Sequence, residues 1–211
     1  MQGLRSLARW AQYCLNMSIN ANDPEYKVYE PSFPPGRDPK FIEWQSQLET
    51  LSSSEVSIRQ ATAVGPDGRR VQDLQALCAP IFVQTVGANV TTIAERVVLL
   101  AEIGGVHVGY CVTFAGRLET DPLFIQVVAV APKAQRRGVG LALLTAAAKQ
   151  HPRRNMALAT RGDNAAALSL NDKFASWIGA SIRRVNLGTY SDSDLGISRG
   201  MGYRSWEIHR P

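Results

Sequence analysis

At 211 residues and 45% hydrophobic, the chain is long enough to bury one good core, and it carries a formal net charge of +5 with a pI near 9.3. Its cysteines, Cys14, Cys78 and Cys111, are odd in number and widely spaced. That fits neither a disulfide framework nor a CxxC metal site and points to reduced thiols in a cytoplasmic protein. His107, His151 and His209 lack metal-ligand spacing, so no metal is expected, and the longest apolar runs, about a strand long, fall far short of a membrane span.

In chain order, residues 1 to 20 carry Arg5 and Arg9, no acid, and a helical stripe of Leu4, Leu7, Ala11, Cys14 and Leu15. The stripe reads as an accessory helix, with a targeting peptide as the alternative. A Pro-rich connector runs from Pro24 to Pro39, and Asp38-Pro39 forms a helix start. Phe41, Trp44, Leu48 and Leu51 then make a second apolar stripe, expected to dock on the main domain. Residues 1–53 therefore read as a helical extension and connector, and 54–211 as one domain. Within that domain, Val56 to Ala61 alternates like a strand. Residues 70 to 84 read as a helix with Val71, Leu74, Leu77 and Cys78 inward, ended or kinked by Pro80. The signal for a further helix over 86–94 is weak. Val97 to Glu102, Gly104-Gly105 and Val106 to Phe114 read as a hairpin. Strands follow at Phe124–Val130, Met156–Thr160, Ser181–Val185 and Tyr203–His209, with helices at 138–150 and Ala165–Trp177.

The most informative stretch runs from Val127 to Leu144: a buried strand, a basic turn with Arg136 and Arg137, Gly138 and Gly140, then an apolar helix. Such a turn presents free backbone N–H groups and the positive end of a helix dipole to a phosphate, and the two glycines are expected to let the anion approach. It is not a nucleoside-triphosphate loop, because Leu141-Ala142 replaces the required Lys-Ser/Thr. It is not a dinucleotide fingerprint either, since Leu143 replaces the third glycine and no acid occurs from Lys133 to Gly162. A plain strand-to-helix turn is the remaining alternative.

The stretch resembles the GCN5-related N-acetyltransferases (GNAT superfamily), whose Gln/Arg-x-x-Gly-x-Gly/Ala signature is matched by Gln135, Gly138 and Gly140. A second block, Asn-x-x-Ala-x-x-Leu-(Tyr or Asn)-x-Lys, is matched from Asn164 to Lys173. The resemblance covers about residues 54 to 210. It implies a mixed α/β fold around a mostly antiparallel twisted sheet of six to seven strands, split near the fourth and fifth and flanked by helices.

The same resemblance implies acetyl-CoA as acyl donor. Its pantetheine arm would pair with the backbone of Val128, Ala129 and Val130, and its pyrophosphate would lie on the amides of Arg136, Arg137, Gly138, Val139, Gly140 and Leu141. Gln135, Asn164, Asn171 and Lys173 complete the expected cofactor set, with Asn164 also suited to cap a helix. Two positions depart from the family: Gln126 stands where many relatives have a glutamate that drains the amine's proton, and Asn171 where many have an acidic tyrosine. Neither titrates. Glu119 and Tyr203 are the candidate catalytic substitutes, with Asp121, Glu102 and Tyr190 behind them. The polar segment between Gly188 and Gly202 is a candidate specificity lid, and its Asp192 and Asp194, with Gln126, form the expected substrate side. Of the basic residues outside the turn, Lys149, Arg153 and Arg154 read as a solvated helix face.

The expected activity is acetylation of a primary amine, of a small molecule in the first instance. The alternatives are a protein or aminoacyl-tRNA amine, or a non-catalytic CoA-binding scaffold. Nucleic acid is not the favoured partner, although the basic charge is compatible with RNA, and a homodimer is compatible with the sequence.

Overall fold

The computed structural model describes residues 38–52, 55–78, 81–198 and 200–210. The helix expected over residues 1–20, and the connector up to residue 37, lie outside the described residues.

Helix α1 (Pro39–Glu49) starts where Asp38 accepts a hydrogen bond from the Lys40 N–H at 2.9 Å, with proline in the first turn. Its apolar stripe docks on the body of the molecule. Phe41, Trp44 and Leu48 are buried. The Trp44 ring stacks on His107 at 4.6 Å between centroids, and its indole N–H donates to the His107 carbonyl at 2.9 Å.

Next come β1 (Ser57–Gln60), α2 (Asp67–Leu77), α3 (Val86–Glu95), β2 (Val97–Ile103), β3 (Val106–Ala115) and β4 (Leu123–Val130). A short 3₁₀ turn at Pro132–Ala134 leads to α4 (Val139–Gln150), β5 (Met156–Arg161), α5 (Ala165–Trp177), β6 (Ser181–Val185), α6 (Asp192–Leu195) and β7 (Tyr203–His209). The helix expected over 70–84 begins earlier, at Asp67, and ends at Leu77, before Pro80. The weakly signalled helix over 86–94 is present as α3, capped by Thr85, whose hydroxyl accepts from Ala88 N–H. The one-turn helix α6 was not foreseen.

The early start of α2 has an electrostatic cause. The Asp67 carboxylate is buried at the helix N-terminus and takes hydrogen bonds from Arg59, Arg70 and the Thr62 N–H. The Arg59 guanidinium holds this carboxyl well below the usual carboxylate range. A depressed folded-state pKa stabilises the fold above the unfolded value, about 3.9, and that contribution is lost as pH falls through and below it. Asp67→Asn is expected to cost about 2 kcal/mol at pH 7, since it breaks a buried pair while Arg59 keeps Glu102 and partial solvation. The difference from the parent should shrink in urea titrations repeated toward pH 3; a gap independent of pH would refute the charge argument.

The sheet has seven strands among the described residues, in the order β1-β2-β3-β4-β5-β7-β6, antiparallel except for the β4–β5 pair. That exception positions the site. β4 and β5 pair only from Leu123 to Ile125 against Met156 to Leu158, and beyond Ile125 the strands separate. One edge of β4 from Gln126 to Val130 is left without a strand neighbour, while β5 continues along β7 through Arg161. Arg154, expected on a solvated face, instead donates from Nη1 to the carbonyls of Gly116, Leu118 and Asp121 at 3.1, 2.7 and 2.8 Å, fixing the β3–β4 loop.

Candidate active site in the split of the sheet

A cavity of about 520 Å³ opens where β4 leaves β5. Gln126, Val128, Ala129, Val130, Gln135, Asn164, Asn171 and Tyr203, all singled out in the sequence, line it together. The Ala131 N–H donates to the Val108 carbonyl of β3, so alternation along β4 turns the backbone groups of Val130 and Val128 toward the free edge. An extended chain bearing amides can add there as a strand does.

Beyond Val130 the backbone folds into a turn rich in N–H groups. Arg136 (φ +62°) and Gly138 (φ +80°) both adopt the left-handed region, and Gly138 sits immediately before α4. The first N–H of the helix to find a helical acceptor belongs to Ala142, which donates to the Gly138 carbonyl at 2.9 Å. Those of Val139, Gly140 and Leu141 have no carbonyl four residues back within the helix. A Cβ built on Gly138 would meet no atom within 4 Å, so there is open space beside this residue. This arrangement fits a pyrophosphate. Gln135 supports the turn from within, donating from Nε2 to the Val130 carbonyl at 3.2 Å.

Gly140 plays a different part from the one expected. A Cβ there would lie 2.9 Å from Leu170 Cδ2, so this glycine lets α4 approach α5 rather than admitting an anion. Two basic residues near the turn reach the end of α1 and the segment after it: Lys133 pairs with Glu49 at 2.7 Å, and Arg137 donates to the Leu51 carbonyl at 3.3 Å.

The two departures from the family each have a structural partner. Gln126 donates from Nε2 to the carbonyls of Ser193 (2.8 Å) and Asp194 (3.3 Å), fastening α6 to β4. Asn171, buried, donates to the Thr160 hydroxyl at 3.0 Å, linking α5 to β5. The connection from Gly188 to Gly202 is rooted as well, because Leu195 and Ile197 bury against Phe124 and Ala157. Asp192 and Asp194 are not among the residues lining the cavity. Glu119 is exposed in the β3–β4 loop, outside the lining, and Lys173 is exposed on α5. Of the other substitutes, Glu102 pairs with Arg59, Tyr190 donates to Glu207 at 2.9 Å, and Asp121 accepts from the Leu118 N–H.

A Gln126→Glu variant separates fastening from catalysis. An ionised carboxylate would set acceptor against the two loop carbonyls, so the variant is expected to lose about 1–3 kcal/mol and to loosen α6. Thermal unfolding, with hydrogen exchange at residues 192–197, checks this; unchanged stability and exchange would show the bond to be incidental.

The structure adds residues that the sequence did not single out. Tyr110, in the middle of β3, lines the cavity, as do Gln75 from α2 and Ile81 and Phe82 from the segment joining α2 to α3. An aromatic hydroxyl within the apolar run Val106 to Phe114 was the available signal for Tyr110. Cys78 lines the cavity too, but burial pushes its thiol up to about 11, so it stays protonated and a poor nucleophile at neutral pH.

A mixed sheet splayed at its single parallel pair among the described residues, with an N–H-rich turn at the splay, is the fold that the resemblance to the acetyltransferases implies. The sequence model of the acetyltransferase (GNAT) family matches residues 71–175, and the chain belongs to that family of acetyltransferases. Solved structures agree on the fold. The diaminobutyrate acetyltransferase EctA of Paenibacillus lautus, in complex with L-2,4-diaminobutyric acid and coenzyme A, is 21% identical, covers 74% of this chain and 96% of its own, and superposes with a TM-score of 0.58. The ribosomal-protein-S18-alanine N-acetyltransferase of Escherichia coli is 16% identical over 74% of this chain and 94% of its own, with a TM-score of 0.54. A GNAT family acetyltransferase from Elizabethkingia anophelis with acetyl-CoA bound is 19% identical over 75% of this chain and 100% of its own, with a TM-score of 0.50. No curated relative matches the sequence significantly. Among the described residues, no helix is long and apolar enough to cross a membrane.

Proposed function

We propose that the protein transfers the acetyl group of acetyl-CoA to the primary amine of a small molecule. One observation carries this reading: the free edge of β4 runs directly into the open left-handed turn before α4, so amide and phosphate recognition lie along one continuous backbone. The thioester supplies an activated carbonyl. In the transfer, the amine nitrogen forms a bond to that carbonyl carbon, the carbon–sulfur bond breaks, and the nitrogen's proton ends on the departing thiol.

The backbone of Val128 and Val130 would hold the pantetheine amides, and the turn from Arg136 to Leu141 the pyrophosphate; the backbone of Ala129, expected to join them, is turned toward β3 and paired with Tyr110. Asn164 caps α5 by accepting from the Ala167 N–H at 3.0 Å, which leaves its amide nitrogen to donate to the same arm. Lys173 serves the nucleotide end. Tyr203, at the start of β7 and in the cavity lining, is the hydroxyl we assign to protonating the leaving thiolate. Gln126 and Asn171 are donors engaged in structure, so positioning supplies the rate and the amine must arrive neutral. Its own pKa then sets the rise of kcat/KM with pH.

Calorimetric titration with acetyl-CoA, with NAD and ATP as controls, tests the reading. Selective binding followed by thiol release with an amine supports it; equal or absent binding of all three overturns it. A second reading, a CoA-binding module without turnover, is favoured by the structural bonds of Gln126 and Asn171. It predicts selective binding with no thiol release across a broad amine panel.

A further inference from the structure

The cavity in the split holds almost no charge. Arg161 is the one charged side chain among the described residues that line it, and no carboxylate is among them. Its direction follows from the strand. The neighbouring Thr160 hydroxyl accepts from Asn171 of α5, so alternation along β5 turns Arg161 to the opposite face of the sheet. There it stands across from Tyr203 of β7, which packs with Phe124 and with Leu195 and Ile197 of the connection from Gly188 to Gly202. The turn proposed for the pyrophosphate leads instead into α4, which meets α5 on the other face through Gly140 and Leu170. Arg161 therefore lies on the side of the split away from the cofactor's phosphates.

Its guanidinium is only partly used. Nε and Nη2 donate to the two oxygens of Asp163 at 3.1 and 2.6 Å, which occupies one edge of the fork. Nη1 makes no hydrogen bond among the described residues, and Nη2 keeps a second N–H, so the end-on edge is left for another acceptor. The Arg161 side chain is 33% exposed and that of Asp163 68%, so water screens the existing pair and a ligand can take the remaining edge without breaking it.

Resting on the acetyl-transfer reading, we propose that the acceptor is an amine that also carries a carboxylate, a small amino acid, whose carboxylate takes the Nη1–Nη2 edge of Arg161 while its amine lies in the split between β4 and β5. A planar carboxylate accepting two parallel N–H bonds matches that edge in shape and in charge. A second ammonium, by contrast, would face the guanidinium with no acid among the described lining residues to offset it.

The experiment uses the full chain with saturating acetyl-CoA and follows thiol release. L-leucine, L-phenylalanine and β-alanine are each set beside the same amine without its carboxylate, namely 3-methylbutylamine, 2-phenylethylamine and ethylamine. At least one amino acid is expected to exceed its partner in kcat/KM by roughly ten- to hundredfold. In Arg161→Gln that advantage should fall to roughly threefold or less, through a rise in KM with kcat kept, because the contact is the same in ground and transition states. The partner amines, which offer nothing to the guanidinium, should lose far less. The affinity for acetyl-CoA by calorimetry and the unfolding temperature should stay close to those of the parent, since the pair with Asp163 is solvent-screened. Arg161→Lys keeps the charge without the fork and should retain part of the advantage. Preference for the partner amines, no release from any of these compounds, or a loss of acetyl-CoA affinity in Arg161→Gln as large as the loss for the amino acid overturns the proposal. Failure of the acetyl-transfer reading shows separately, as absent heat with acetyl-CoA.

Discussion

Gly138→Glu is expected to weaken acetyl-CoA binding by roughly two to three orders of magnitude while the protein still folds. Gly138 lies at φ +80°, and a Cβ there would enter open space, so a side chain brings backbone strain but no collision. That strain is of the order of 1–2 kcal/mol. A carboxylate on the open side of the turn meets the pyrophosphate at short range, where two like charges near a protein surface cost about 4 kcal/mol. Gly138→Ala isolates the strain: it should lose about 1 kcal/mol of stability and less than tenfold in affinity. Calorimetry and urea unfolding on both variants measure the two effects. A glutamate variant that binds within threefold of the parent would remove the turn from the cofactor site.

Trp44→Ala carries the largest expected effect on stability, about 3–5 kcal/mol in urea unfolding. The indole is 4% exposed, stacks on His107 and donates to the His107 carbonyl, so its loss leaves a cavity and an unpaired carbonyl together. For a domain held together by about 5–15 kcal/mol, that is a large fraction of the total. Trp44→Phe keeps most of the packing and loses the hydrogen bond, and should cost about 1 kcal/mol. A loss below about 1 kcal/mol for the alanine variant would show α1 to be peripheral.

The order of strands and helices was legible because each strand is a short apolar run between turn residues, and because the two signature blocks anchor the register. α1 was legible from Asp38-Pro39 and the Phe41–Trp44–Leu48 stripe. The beginning of α2 was not, since it depends on Arg59, which stands in β1 outside any helical pattern and meets Asp67 once β1 and α2 come together. The free edge of β4 and the left-handed turn that follows it were legible in Val128 to Gly138, as local backbone chemistry is written locally. The cavity walls toward α2 and α3 were not, since Tyr110, Ile81 and Phe82 come from other elements, while Glu119, Asp192 and Asp194 lie outside the lining. Gln126 and Gly140 show the same limit. Gln126 lines the cavity, yet its amide also holds the carbonyls of Ser193 and Asp194, and the space beside Gly140 is filled by Leu170, neighbours that only the tertiary fold supplies.

The contact between Gly140 and Leu170 joins the two signature blocks into a single steric sum. Volume added at position 140 is taken up by a shift of the Leu170 side chain, by a smaller residue at position 170, or by a tilt of α5 that carries Asn164 and Asn171 with it. Gly140→Ala alone should therefore be worse tolerated than Gly140→Ala with Leu170→Val. A chain that keeps these two helices at their present spacing trades bulk at one position against bulk at the other.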